Sequence, residues 1–456
     1  MRAHPPSAIL LGKRHEMKGV IAIEYRNNPR ALVPDPVQQH GNIAAQLAIF
    51  IGFVAVVLWR MPAIIMDGGR FWAEEGLVYF SKTWDQPWYD AWFTIYAGYV
   101  NVAAGFGTWL ALKLGGLSDA PMITVIFALS LQCFPVYVIL THAFAWRGSI
   151  VATAVAASSC ALMPVMGEVW LNTITSQFHL ALFSALIFAA PLPKTRLFLC
   201  DCAGLVLAVF SGPASCFLMP LFVLRAFRER KIQAILFAAI VFFGCCVQAT
   251  IYLTHITPSR GGKLDLAELL SAISLHTIVL QFTGMHVALL FAAYCTRIHA
   301  LARPLLAGPI LFGLFYGIVG LAIIRAREIV LGRLFVAGIV ITLVSFYEAL
   351  GVSFAGFMNV VAGQRYAFIP DAANALLIIG LACASRGLPR YFFVAASAVL
   401  VLVGVANYRD GLGMFEQGAA WKPQVAAWQR DPTRGLTIWP GGWILKLPPH
   451  TAAPNP

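Results

Sequence analysis

The stretch Ala45-Gln-Leu-Ala-Ile-Phe-Ile-Gly-Phe-Val-Ala-Val-Val-Leu-Trp-Arg60-Met-Pro-Ala-Ile-Ile65 carries a single charge, at Arg60. A helix needs about twenty predominantly apolar residues to cross the hydrocarbon of a bilayer, so this run reads as a membrane span. Runs of the same kind recur as far as Ala406. The whole composition agrees: 59% of the 456 residues are apolar and 11% are charged. Soluble domains average roughly 25% charged residues. An ordinary cytosolic enzyme, a disordered chain and a secreted disulfide scaffold are excluded. The fold class is an all-α polytopic membrane protein.

Thirteen apolar segments can be marked, at 45–65, 98–117, 122–143, 150–166, 172–192, 197–210, 213–224, 232–254, 276–296, 305–324, 330–350, 367–384 and 390–406. The basic residues cluster between them: Lys194 with Arg196; Arg225, Arg228, Arg230 and Lys231; Arg325, Arg327 and Arg333; Arg386 and Arg390. Such clusters mark cytoplasmic loops, so the net charge of +12 is a matter of orientation and anionic lipid headgroups, not of nucleic acid. If all thirteen segments spanned, the cluster at 225–231 would lie outside. Two must therefore fail to span.

The weakest are 98–117, with Asn101, Lys113 and five glycines in a surround of Trp and Tyr, and 276–296, with His276, Gln281, Thr283 and His286. Setting both aside leaves about eleven spans, a cytoplasmic N-terminal tail (1–44) and a transmembrane domain (45–406). The first exterior loop (66–121) then carries interfacial helices, and an exterior, aromatic-rich C-terminal tail (407–456) lies as a flap on the outer face. The segments 197–210 and 213–224 are short and form a broken pair around Ser211-Gly212-Pro213. All nine cysteines fall in apolar segments, and they read as small hydrophobes.

Carboxylates are scarce, 20 against 32 Lys plus Arg, yet Asp67, Glu74, Glu75, Asp85 and Asp90 crowd just beyond the first span. Asp85 and Asp90 read as residues that keep a loop wet. Glu74 and Glu75 differ, because Phe71, Trp72, Tyr79 and Phe80 surround them with apolar surface. A desolvated carboxylate is suited to take a proton from a hydroxyl. A second group, Glu168, Asn172, Thr175 and His179, with Gln177 among them, falls at the i, i+4, i+7, i+11 spacing of one helical face. Such a stripe belongs against protein or an aqueous cavity, not lipid. The third group is Gln364, Arg365 and Tyr366, with Asp371 further in. Arg suits bidentate capture of phosphate; the alternative is an interfacial anchor. Arg260 and Lys263 are weaker candidates of the same kind.

All three groups fall on one side of the membrane in this topology. Acids and an Arg beside a lipid-accessible cavity point to hydroxyl activation next to a lipid-linked phosphate. On Phe71-Trp72-Ala73-Glu74-Glu75-Gly76, Glu168-Val-Trp-Leu-Asn172, Arg365-Tyr366 and the Trp-Pro-Gly-Gly-Trp tail, the chain resembles the GT-C superfamily of integral-membrane glycosyltransferases. The likeness spans most of the chain in architecture and about thirty residues in motif. It departs from the family in having Glu at the usual leading Asp of the first-loop motif.

The resemblance implies a bundle of about eleven, up to thirteen, spans and an inverting transfer from a polyprenyl-phosphate sugar to an envelope glycan or lipid acceptor at the inner membrane. It implies Glu74 or Glu75 as base, with Asp67 behind them, and Arg365, with His179, beside the departing phosphate. Asn172 and Gln177 would bind sugar hydroxyls, with Glu168 and Tyr366 completing the substrate site. Some relatives use a divalent cation; Asp67, Glu74 and Glu75 are too few to argue a metal site here. A secondary transporter or lipid-linked sugar flippase competes, with Asp201, Glu348 and Asp371 along its path. A non-enzymatic envelope scaffold is the third reading.

Overall fold

The computed structural model describes residues 43–255, 265–349, 353–413 and 420–449. The chain divides into a unit of residues 1–48, described only as the start of the first helix, and a unit of residues 49–456 to which everything below refers. Among the described residues eight helices are long and apolar enough to cross a membrane. They are Ile43–Arg60, Val102–Thr141, Ile232–Thr254, Leu266–Ala300, Ala307–Ala326, Ile329–Tyr347, Gln364–Ala384 and Leu388–Ala406. A ninth arises if Arg196–Phe210 and Pro213–Glu229, bent by 116°, count as one span. The protein is therefore an all-α polytopic membrane protein.

The structure redraws the expected set of eleven spans. The run 276–296, set aside for its polar residues, belongs to the 35-residue apolar stretch Leu266–Ala300. Three of its polar side chains, His276, Gln281 and Thr283, find partners inside the protein. His276 Nε2 lies 2.7 Å from the Phe357 carbonyl, Gln281 Nε2 donates to the Asp371 carbonyl at 2.7 Å, and Thr283 returns to Val279. Polarity met this way costs little in a membrane. The segments 98–117 and 122–143 run together in Val102–Thr141, interrupted at Gly116 (φ 55°). Ile150–Ala161 and Ser176–Ala189 are apolar but shorter than a span.

Local chemistry sets the helix ends. Asn101, Ser149 and Asp265 each accept a backbone N–H from the first turn of the helix they precede, the usual N-cap bond. Arginines close two C-terminal ends. Arg60 Nη2 donates to the carbonyls of Ala161 (2.9 Å) and Met163 (2.6 Å). Arg225 donates to those of Ile187, Phe188 and Ala190 and pairs with Glu229. Arg225, part of the basic cluster 225–231, is buried, and it satisfies orphan carbonyls.

The loop after the first helix and the C-terminal tail share a core of their own. Phe71, Phe80, Trp84, Ala111 and Leu117 pack with Trp421, Val425, Trp428, Leu436, Ile438, Leu445 and Leu447. The tail contributes the helix Trp421–Arg430 and the antiparallel strands Leu436–Ile438 and Trp443–Leu445. Phe71 meets Trp421 edge-on at 5.4 Å, and Trp84 meets Trp428 at 5.8 Å. Trp421 Nε1 donates to the Leu117 carbonyl at 2.8 Å. The expected flap is thus half of a small mixed subdomain. Trp421→Ala is expected to cost about 3–5 kcal/mol, the range for emptying a buried aromatic site, read as a lowered unfolding midpoint with early proteolysis within 66–85.

Candidate functional site

Glu74 and Glu75 are adjacent, and the backbone sends them opposite ways. Trp439 N donates to the Phe71 carbonyl at 3.0 Å and Ala73 N donates to the Trp439 carbonyl, so the tail strand grips residues 71–73. Ala73 then adopts φ 35°, the left-handed region that a side chain enters at a cost. The π-helical turn Glu75–Phe80 follows. Its wide coil pairs positions five apart, and Tyr79 stands on the same wall as Glu74.

Glu75 points inward and is fully buried. Its carboxyl accepts from Thr173 N (2.8 Å), Thr173 Oγ1 (2.6 Å) and Trp72 N (3.0 Å). Burial pushes this carboxyl above the usual carboxylate range, and the three hydrogen bonds pull it partway back. Glu75 thereby ties the first loop to the segment before helix Ser176–Ala189.

Glu74 faces a cavity of about 370 Å³. Tyr79, Tyr96, Tyr99, Tyr252 and Tyr366 line it, with Gln177, Gln248 and Arg365. Among the described lining residues Glu74 is the sole acid and Arg365 the sole Arg or Lys. Burial first, then the neighbouring Tyr99, Glu74 and Tyr96, holds the Tyr79 hydroxyl well above its ordinary value, so it faces the cavity as a neutral phenol. Ala249 and Tyr252 are exposed on the candidate span Ile232–Thr254, so the cavity reaches the exposed side of that helix.

Tyr96 and Tyr99 arrive on the hairpin Ile95–Tyr96/Tyr99–Val100, turned by Ala97 (φ 51°) and Gly98 (φ 83°), the positive-φ pair of a two-residue hairpin. Gln248 holds that hairpin as a neighbouring strand would, accepting from Val100 N and donating to its carbonyl, both at 3.1 Å. Gln177 Nε2 reaches the Tyr99 hydroxyl at 3.2 Å. Sequence reasoning missed this hairpin and Gln248. The available signals were two tyrosines around Ala-Gly and a lone amide in an apolar run.

Arg365 opens helix Gln364–Ala384 and donates to Glu168 Oε1 at 2.7 Å. The guanidinium lies 5.2 Å from the Tyr366 ring centre. An arginine has five N–H donors, and this ion pair engages one nitrogen, with the side chain 37% exposed. Gln364 secures the register by accepting from Glu168 N at 2.9 Å.

The structure brings Glu74, Thr175, Gln177, Arg365 and Tyr366 to one cavity, with Glu168 bonded behind Arg365. It places the other candidates elsewhere. Asp67 is exposed at the end of the short helix Pro62–Met66 and does not line the cavity. Asn172 is buried, accepting from Thr175 N and Oγ1 and donating to the Glu168 and Trp170 carbonyls. His179 is packed between Trp170 (4.5 Å) and Phe368 (4.2 Å).

The expected helical face across 168–179 is not formed, since the helix begins at Ser176 and Leu171 has φ 60°. Gln132 from a neighbouring helix takes the backbone groups of Val169, Leu171 and Asn172 instead. Arg260 and Lys263 lie outside the described residues, as does the Glu348 side chain.

A divalent cation does not fit this donor set. Among the described residues Glu74 is the sole carboxylate on the wall and the Glu75 oxygens are engaged, whereas hard cations take six or more oxygens. Among the described residues no group of three or more His, Cys, Asp or Glu side chains comes together in a way that could hold a metal ion. No family model, curated protein or solved structure matches the chain.

Proposed function

We propose that the cavity carries out an inverting glycosyl transfer from a polyprenyl-phosphate sugar to an envelope glycan or lipid acceptor, at the exterior face of the inner membrane with the N-terminus cytoplasmic. One observation carries the reading. Among the described residues, the single acid and the single Arg on the wall share one tyrosine-lined cavity that also touches the exposed side of a candidate membrane helix.

In this scheme Glu74 accepts the proton of the acceptor hydroxyl. The freed oxygen pair bonds to the anomeric carbon from the side opposite the phosphate, and the anomeric carbon–oxygen bond breaks with its electrons passing to the phosphate. Arg365 meets the charge that develops on that leaving group, the position where fixed donors do most for a transition state. Tyrosine rings flank the sugar, and Gln177 hydrogen-bonds to it.

The test is turnover of purified protein in lipid nanodiscs supplied with labelled polyprenyl-phosphate sugars, read as released polyprenyl phosphate. Arg365→Ala is expected to lower kcat about 10²–10³-fold, the loss seen when one transition-state donor is removed. Arg365→Lys should restore only part, since a point charge replaces a planar fork. Unchanged turnover in Arg365→Ala would sink the assignment.

A transport reading has its own support: the 116° break around Gly212, whose far side (Pro213, Ala214, Cys216 and Phe217) lines the cavity, and the fully buried Asp371 in helix Gln364–Ala384. Broken helices and intramembrane acids mark transport paths. It is favoured if proteoliposomes move the lipid-linked sugar without releasing polyprenyl phosphate, and if Asp371→Asn abolishes movement that Glu74→Gln leaves intact.

A further inference from the structure

Away from the cavity, two candidate spans meet where both are interrupted. Leu266–Ala300 opens into a π-helical turn at Leu275–Val279 and breaks again at Gly284 (φ 80°). Met285 N, which an unbroken helix aims at the Gln281 carbonyl, donates to Asn407 Oδ1 at 2.9 Å. Helix Gln364–Ala384 carries Pro370 in its interior, and proline has no N–H to offer the Tyr366 carbonyl one turn back. Two hydrogen bonds fix the register between these helices. Gln281 Nε2 donates to the Asp371 carbonyl at 2.7 Å, and Asn374 Nδ2 donates to the Thr277 carbonyl at 3.2 Å. Thr277, Gln281, Asp371 and Asn374 are all buried here, and none of them lines the tyrosine-walled cavity.

Asp371 is fully buried, and among the described residues neither of its carboxyl oxygens has a hydrogen-bond partner. Gln281 gives its amide nitrogen to the Asp371 main chain and leaves Oε1 without a partner as well. The orphaned atoms at this place are therefore oxygens, and what they lack is positive charge. A bare carboxylate inside a membrane bundle is costly. We propose that Asp371 and Gln281 form a binding site for a monovalent alkali cation, with the Asp371 carboxylate and Gln281 Oε1 as side-chain ligands. Hard cations take oxygen ligands, and interrupted membrane helices present backbone carbonyls to such ions, so the turns on either side of Gln281 complete the shell.

One positive charge balances the one carboxylate, which is why the ion is monovalent. Bound there, it ties Leu266–Ala300 to Gln364–Ala384, the helix whose first turn carries Arg365 and Tyr366 to the cavity wall. The site does not depend on the glycosyl transfer proposed above.

The test is equilibrium binding of radiolabelled sodium to the full chain in zwitterionic lipid nanodiscs, with choline holding the ionic strength constant and empty nanodiscs subtracted. The expected result is saturable binding of one sodium ion per chain, displaced by unlabelled sodium and not by choline. Sodium should also raise the unfolding midpoint, as a ligand of the folded state does, and slow hydrogen exchange in peptides covering 275–285 and 366–375. Asp371→Asn, shown to be folded, should lose all three effects. Absence of saturable binding, which a carboxyl that simply keeps its proton would give, overturns the proposal. So do displacement by choline, protection confined to other segments, and binding retained by folded Asp371→Asn. The exchange map of the wild type locates the ion even where the variant fails to fold, and no readout needs sugar transfer or lipid movement.

Discussion

Glu74→Gln is expected to lower turnover about 10²–10⁴-fold, the span of a lost general base, with the unfolding midpoint unchanged. The side chain is half-buried on the cavity wall, and the backbone around it is gripped by Trp439 through main-chain bonds that the substitution does not touch. Gln has nearly the same shape and cannot accept the proton. KM for the lipid donor should move little, because Glu74 acts on the acceptor in this mechanism. Glu74→Asp should recover part of the rate by restoring a base at the wrong reach. Full activity in Glu74→Gln, measured on protein with wild-type thermal stability, would remove Glu74 from the mechanism.

Its neighbour should behave in the opposite way. Glu75→Ala leaves the Thr173 N–H and Thr173 hydroxyl without their Glu75 acceptor in a fully buried site. Two orphaned donors cost about 1–3 kcal/mol each, so the loss should fall at about 2–6 kcal/mol, and any fall in activity should track loss of folded protein. The pH dependence gives an independent check. Because burial raises the Glu75 carboxyl in the folded state, the folded protein holds that proton more tightly than the unfolded chain. Its stabilising contribution is complete below the unfolded carboxylate range and is lost as pH rises through the folded value. Glu75→Gln, neutral throughout, should flatten that slope in chemical unfolding followed from acid to neutral pH.

The contrast between these residues marks where sequence reasoning stopped. Scarcity of charge made the acid pair, Glu168 and Arg365 stand out, and three of those four residues meet at or directly behind one cavity wall. Their division of labour was not legible, because it depends on a left-handed Ala73, a π turn and a strand from the far end of the chain. The same limit applies to 168–179. Its spacing matches a helical face, but Gln132 supplies the backbone partners that a helix would have supplied, and a distant side chain of that kind leaves no local trace. Hydropathy alone marked the polytopic class. The count of polar residues, not hydropathy, is what set 276–296 aside, and such a count does not see that His276 and Gln281 find partners inside the protein.

The grip of Trp439 on residues 71–73 also has a consequence for the order of synthesis. Glu74 leaves the ribosome soon after the first helix, whereas its clamp leaves after every membrane helix has been made. A nascent chain inserted as far as Leu388–Ala406 has all its candidate spans, but the backbone that aims Glu74 still lacks its partner. The cavity wall is then completed by the last portion of the clamp to emerge, so a partial chain in the membrane carries Glu74 on a backbone that Trp439 does not yet hold.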